Sequence, residues 1–480
     1  MDKQHNTKNI VGFAKLEKEL SLFEREYFGI PYWQLIRFDV CESIFSNRME
    51  IQNTIKDKLW KNPIYLFKRI LVLSIISLKE LFSKDLWKDA EIIELRTTDL
   101  QDRFFSGWMI PESIIYTAIR NCELGTDLDF TRHFTAKPYI NTQFLNFLMK
   151  ITKVRKNDSK EKEFLRILEK RFVAQFGKCM TSEEMEKQIH KEITKQKCYS
   201  KYFKKLIDRT NCKAIIVIQY YQPQLFSLYK MAKERNIKII ELQHGVINNH
   251  EEYWFEDRRG INNFTPDFLL TFGELHNSWI QLVKGSQAIA IGCPYQREQI
   301  EKFDKLTTNE RVVVVYPESN PLFENTIDVF INLIVNRGYE VIIKLHPQEA
   351  EQLESYYPLL SKNRNARIVT SQKEGIYYWL KMAKHHVMAG TTVGLEAMLF
   401  DDINVCIAEN VPHEQTQPLL DCDAARGFHT AEELVNLIID PVVNNEAIRG
   451  IRELLWKNNA ATNMENFIKN LKKNDWEFLP

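Results

Sequence analysis

The sequence predicts an α/β protein with two Rossmann-like, doubly wound parallel-sheet domains facing a cleft, preceded by a helical N-terminal extension. Three observations carry this prediction. From Lys213 onward, short β-branched runs alternate with amphipathic segments of helical period. The alternation pauses once, at residues 292–308, and then restarts. Before Ala90 the periodicity is helical throughout. Alternating runs of this kind are read as parallel strands covered by helices on both faces, and two such runs as two sheets.

Taken in order, residues 11–86 repeat apolar side chains at three- and four-residue steps, first in "FAKLEKELSLFEREYF" and more densely in "LFKRILVLSIISLKELF". "AEIIEL" is the first buried strand and "KAIIVI" the next clear one, with a basic helical insertion at about 142–208 between them. Strand "AIIVI", helix "QLFSLYKMAKERN", strand "IKIIELQ", strand "DFLLTFG", helix "ELHNSWIQLVK" and strand "AIAIG" complete the first run. The second run is strand "RVVVVYPES", helix "LFENTIDVFINLIVNRG", strand "YEVIIKLHP", helix "EAEQLESYYPLL", strand "ARIVTS", helix "GIYYWLKMAK", strand "HHVMAG", helix "TTVGLEAMLF" and strand "INVCIAE". The expected domains are a helical extension over 1–87, a first Rossmann-like (acceptor) domain over 88–295, a second (nucleotide-donor) domain over 296–450, and C-terminal helices over 451–480 crossing back.

The bulk numbers narrow the class. The chain has 480 residues, 44% of them hydrophobic and 12% aromatic, which is the composition of packed protein. Its 65 basic and 64 acidic side chains leave a net charge of +1, so no global field points to nucleic acid. Eight widely spaced cysteines without a CxxC pair, and an N-terminus without an apolar core, lead us to expect a reduced cytoplasmic protein with no structural zinc. Residues 64–82 are broken by Lys68, Arg69 and Lys79 and do not read as a membrane span. A peripheral contact of the basic helices with the inner face of the plasma membrane is the alternative to a solvated helix face.

Ligands of doubly wound sheets bind beyond the carboxyl ends of the strands. The residues there are Gln219 and Tyr220, Gln243–His244–Gly245, Pro317–Glu318–Ser319, "KLHP" and "AGTTVGLEA". Lys344 and His346 share strand parity, and a cation beside an imidazole suits a phosphate-bearing leaving group. The turn Gly390–Thr391–Thr392 opens a helix whose first N–H groups and hydroxyls suit a phosphate without a metal. Glu396, one turn in, suits the two hydroxyls of a ribose. The alternative, a capping-box glutamate, fits less well because the box requires a three-residue spacing.

"ELQHGV", "FGE", "IGCPY", "KLHPQE" and "AGTTVGLEA", in that order over roughly the last half of the chain, resemble bacterial GT-B glycosyltransferases and CDP-glycerol glycerophosphotransferases of capsule, lipopolysaccharide and teichoic-acid synthesis. In those relatives the His-Pro pair and the following Ser or Thr pair bind the nucleotide and its phosphate, as in CMP-sugar-dependent sialyl and Kdo transferases. The resemblance implies a GT-B-like fold with Ser319, Lys344, His346, Gly390, Thr391, Thr392 and Glu396 on the donor, and Gln243, His244 and Gly245 facing them. The serine pair of the relatives is Thr391 and Thr392 here.

These residues lead us to expect a metal-independent transfer of a sugar from a nucleotide-sugar donor, which the resemblance implies to be CMP-linked first, to a carbohydrate or lipid-linked glycan acceptor. No DxD adjoins a predicted strand of the donor domain, since "DCD" at 421–423 follows the last one expected, and no cofactor is anticipated. His244 and His346 are the candidate catalytic groups. Glu94, Asp99, Asp102, Glu251 and Glu252 are further candidates for the base, and Arg258 and Arg259 for a phosphate clamp. Rival readings are glycerophosphate transfer from a CDP donor, a nucleotide-sugar 2-epimerase, and a non-catalytic scaffold of a polysaccharide assembly complex.

Overall fold

A computed structural model describes residues 3–27, 29–45, 91–96, 116–121, 139–140, 159–247, 253–255, 264–346, 349, 353–370, 373–411 and 415–473. After a short hairpin of β1 (Glu26–Tyr27) and β2 (Ile30–Pro31), two wholly parallel sheets are built in chain order. The first contains β3 (Ile92–Arg96), β4 (Tyr116–Asn121), β5 (Tyr139–Ile140), β6 (Ala214–Val217), β7 (Lys238–Leu242), β8 (Phe268–Thr271) and β9 (Gln287–Ala290), in the order β5-β4-β3-β6-β7-β8-β9. The second contains β10 (Asn309–Val315), β11 (Glu340–Lys344), β12 (Ala366–Val369), β13 (Ala383–Met388), β14 (Asn404–Ala408) and β15 (Arg426–Phe428), in the order β12-β11-β10-β13-β14-β15. Both sheets therefore follow the 3-2-1-4-5-6 Rossmann winding, which reverses beside the first strand of each. The expected GT-B-like class, two doubly wound α/β units with added helices, is what the chain forms.

The strands alternate with period two between separate cores. Ile215 and Val217 face a layer that includes the N-terminal helices, whereas Ala214 and Ile216 face the cluster that includes the C-terminal helices. In the second sheet, Val313 and Val315 are split from Val312 and Val314 in the same way. Where they are buried on both faces, as over Ala214–Val217 and Val312–Val315, these strands are wholly apolar, which is why they read as continuous Val and Ile runs.

Helices Lys3–Glu19, Trp33–Phe45, Ser159–Phe176 and Ser182–Thr210 form the layer behind the first sheet. Phe13 lies 6.2 Å from Trp33 and 5.2 Å from Phe172, ring centroid to centroid. Arg37 sits against the Glu17 carboxylate, Nε to Oε1 at 2.6 Å and Nη2 to Oε2 at 3.0 Å, and Nη2 also donates to the Trp254 carbonyl at 2.9 Å. The N-terminal helices are thereby tied to the segment that follows the β7 loop.

Several sequence expectations are corrected. The first helix stops at Glu19, because Ser21 turns left-handed at φ 48° and a hairpin follows, with Gly29 at φ 71°. β4 and β5 were not anticipated between "AEIIEL" and "KAIIVI", nor was β15 after "INVCIAE". "DCD" therefore precedes the last strand, and Asp423, at φ 58°, pairs with Arg426 of β15 at 3.6 Å. The helices expected over 274–284 and 391–400 shrink to Glu274–Ser278 and Val393–Ala397, and the one expected over 349–360 ends at Tyr356. No helix among the described residues is long and apolar enough to cross a membrane, and residues 64–82 lie outside them.

At the end of the chain, helices Asn445–Leu455 and Ala460–Lys473 reach the first sheet's side. Lys457 N–H donates to the Phe272 carbonyl at 2.7 Å, Asn463 Nδ2 to the Ile291 carbonyl at 3.1 Å, and Phe467 packs edge-on against Phe268. Gly292, at φ +90°, permits this approach, since a Cβ there would stand 2.2 Å from the Lys457 carbonyl oxygen.

Candidate functional site

The second sheet reverses its winding between β10 and β13, so the crevice beyond their carboxyl ends is where a ligand of this fold lies. Parallel pairing sets Val315 level with both Ile343 and Val387. Glu318, His346 and Gly390 each follow the carboxyl end of one of these strands, with β11 and β13 about 10 Å apart across β10.

Glu318, which sequence reasoning passed over for its neighbour Ser319, closes the crevice between strand ends. Its carboxylate accepts from the Gly390 N–H, and burial together with the Glu349 charge raises its pKa. Ser319 is exposed. Beneath it Tyr316 stacks on His386, centroids 5.9 Å apart, with its hydroxyl 3.2 Å from Nδ1, while Nε2 of His386 lies 3.0 Å from the Ala383 carbonyl. Burial pushes the His386 imidazole down to about 4, so it is neutral, its Nε2–H donating to the backbone and its Nδ1 accepting from Tyr316.

The turn after β13 carries Gly390, Thr391 and Thr392, all half-buried. Thr391 Oγ1 accepts from the Val393 N–H at 3.4 Å. The helix that follows has only five residues, so its macrodipole is short and any anion there meets chiefly local N–H groups. Glu396 sits on that helix. One carboxylate oxygen accepts from the Tyr377 hydroxyl; the other, Oε2, is buried with no hydrogen-bond partner among the described residues. Burial pushes its pKa up to about 7, with the Tyr377 bond opposing the shift. Tyr377 in turn bonds Gln296 and lies 6.1 Å from the Tyr295 ring. The join "IGCPY" and the "GLEA" helix, distant in sequence, thus meet at Glu396. Trp456 braces the same helix by donating Nε1–H to the Leu395 carbonyl at 3.3 Å, while its ring rests 5.4 Å from Phe272 of the first domain.

Lys344 is buried at the end of β11 and donates to the Leu345 carbonyl at 3.2 Å. Desolvation lowers its pKa, partly offset by Glu374. His346 is exposed, with its N–H 3.4 Å from Glu349 Oε2. The strand ends at Lys344, so strand parity no longer governs His346, and the two side chains occupy different environments.

In the first sheet, the β6 and β7 ends come together. Gln243 is fully buried; its Nε2 donates to the Gly245 carbonyl at 2.7 Å, and its Oε1 accepts from the Phe272 N–H at 2.7 Å. Its amide is committed to the backbone, so it shapes the loop instead of facing a ligand as anticipated. His244 is half-buried, with Nε2 3.2 Å from Gln219 Nε2. Gly245 is not left-handed, and a Cβ there would meet none of the described residues within 4 Å. Glu94 lies on β3, level with Ala118 and Ile216. Asp99, Asp102, Glu251, Glu252, Arg258 and Arg259 lie outside the described residues. Sequence reasoning missed Glu241, fully buried at the end of β7, although a lone acid in an apolar strand is a visible signal.

No family model matches the chain, and no curated relative matches it. Solved structures similar to it include the UDP-GlcNAc 2-epimerase of Methanocaldococcus jannaschii in complex with UDP-GlcNAc and UDP, at TM-score 0.42 and 10% identity over 80% of this chain and 99% of that one. The UDP-N-acetylglucosamine 2-epimerase of Rickettsia bellii aligns at TM-score 0.45 and 12% identity, over 80% and 96%. The glycotransferase of kitacinnamycin aligns at TM-score 0.43 and 10% identity, over 80% and 99%.

Proposed function

We propose that this chain is a glycosyltransferase that moves a sugar from a nucleotide-activated donor, CMP-linked by preference, to a carbohydrate or lipid-linked glycan acceptor in bacterial surface-polysaccharide synthesis. The observation that carries the reading is the Oε2 atom of Glu396. A buried carboxylate oxygen without a partner is unfavourable unless a donor arrives, and the vicinal hydroxyls of a ribose supply two donors at the switch point of the sheet. Thr391 and Thr392 then offer hydroxyls to the phosphate, Lys344 offers positive charge, and His346 protonates or hydrogen-bonds the leaving phosphate oxygen.

In the transfer, the donor's glycosidic C–O bond breaks and the phosphate leaves with its electron pair. The acceptor oxygen bonds the anomeric carbon, and its proton passes to a base. His244 is that base in this reading, and the acceptor hydroxyl displaces the Gln219 amide from Nε2 to reach it. The reaction as proposed takes place on the cytoplasmic side and uses neither a metal nor nucleic acid.

The test is incubation with CMP-, CDP-, UDP-, GDP- and dTDP-linked donors and saccharide acceptors, following nucleotide release. Acceptor-dependent release of CMP from a CMP-sugar supports the reading. Release of CMP from CDP-glycerol with glycerophosphate transfer replaces it by the phosphotransfer alternative, and interconversion of a UDP-sugar without acceptor replaces it by the epimerase. Full turnover in His346→Ala removes the leaving-group role.

A further inference from the structure

We propose that Glu241 is a positioning residue that fixes the tautomer and orientation of His244 through the turn at Gln219. This rests on the reading of His244 as the proton acceptor. Glu241 lies at the end of β7, and its Oε1 accepts from the Tyr220 N–H at 3.1 Å and the Tyr253 hydroxyl at 2.9 Å. The carboxyl also accepts from the Gln219 N–H. One buried acid thus gathers the segment after β6 and the segment that follows the β7 loop.

Gln219 is left-handed at φ 57°, a conformation that a side chain of this kind holds only where its surroundings over-determine it. The contacts to Glu241 are those surroundings. Held so, Gln219 receives the Gln222 amide on Oε1 at 2.8 Å, which leaves its own NH2 to donate to His244 Nε2 at 3.2 Å. With the two amides so oriented, Nε2 is the acceptor nitrogen and the imidazole proton sits on Nδ1. The basic lone pair is thereby held at the carboxyl edge of the sheet, beside β6. Burial raises the Glu241 carboxyl to about 8, and its Oε2 has no partner among the described residues, so the group works as a neutral acceptor that Gln can imitate.

The test uses full-length protein labelled with 15N-histidine and two-bond 1H–15N spectra, with the His244 signal identified by its loss in His244→Asn. Wild type and Glu241→Gln are expected to show the Nδ1–H tautomer. Glu241→Ala, and Glu241→Asp, which withdraws the carboxyl by about 1.5 Å, are expected to populate both tautomers. Glu241→Asp carries the test if Glu241→Ala does not fold. With a donor that turns over, Glu241→Asp is expected to lower kcat about 10- to 100-fold and to leave the donor KM within about two-fold. A single unchanged tautomer in Glu241→Asp overturns the proposal, whatever the rate. A shifted tautomer with unchanged turnover upholds it and removes His244 from the proton transfer.

Discussion

Replacing Glu396 by Gln separates two consequences of one buried carboxyl. In the folded chain its pKa stands at about 7 against an ordinary 4.5. The folded state therefore binds the proton more tightly than the unfolded state does. Its contribution to stability is fully present below the unfolded pKa and is lost as pH rises through about 7, a difference of about 3 kcal/mol at 1.36 kcal/mol per unit. Glutamine cannot ionise, so the variant escapes that loss. Urea unfolding of both proteins from about pH 4.5 to about pH 8 should show the stability difference moving by about 3 kcal/mol in favour of the variant. Nucleotide binding should move the other way. An amide offers one acceptor oxygen where the carboxylate offers two charged ones, and CMP affinity should fall about 10- to 100-fold by calorimetry. A stability difference that does not change with pH refutes the burial argument, and an unchanged affinity refutes the ribose role.

Three further perturbations follow from the same structure. Arg37→Met leaves the Glu17 carboxylate, 2% exposed, without its guanidinium and should cost about 3–5 kcal/mol in urea unfolding, with much of the loss restored in the Glu17→Gln/Arg37→Met double variant. Gly292→Ala forces a side chain onto a φ +90° backbone against the Lys457 carbonyl. It should lower stability by about 1–3 kcal/mol and expose the C-terminal helices to limited proteolysis first. Lys344→Met should weaken CMP binding about 10- to 100-fold while leaving Tm unchanged or higher, because a partly desolvated ammonium is removed. Wild-type binding should fall as pH rises toward the lowered ammonium pKa, and the variant should not follow it.

The strands that were legible in the sequence are those with apolar runs buried on both faces, such as β6 and the Val312–Val315 part of β10. β4, β5 and β15 were not legible, because an edge or near-edge strand of a few mixed residues carries no periodic signal and gains its identity from its neighbour. The helix after Thr392 was overestimated for a related reason. "TTVGLEAMLF" has helical period, but Met398, Leu399 and Phe400 turn back with bonds to residues three earlier, which packing against Trp456 and the second core favours.

For the candidate site, the sequence by itself determined which residues stand at strand ends, because the period-two pattern and the strand-to-turn boundaries are local properties. Lys344, Gly390, Thr391, Thr392 and His244 are legible at those boundaries, and Glu396 one turn into the helix that follows. Only the tertiary structure decided their chemistry. Which carboxylate meets the Gly390 N–H, that Gln243 serves the backbone, and that Glu241 reaches Gln219 are matters of register between strands far apart in the chain. Burial, which sets the charge of Glu396 and Glu241, belongs to the assembled layers and to no segment alone.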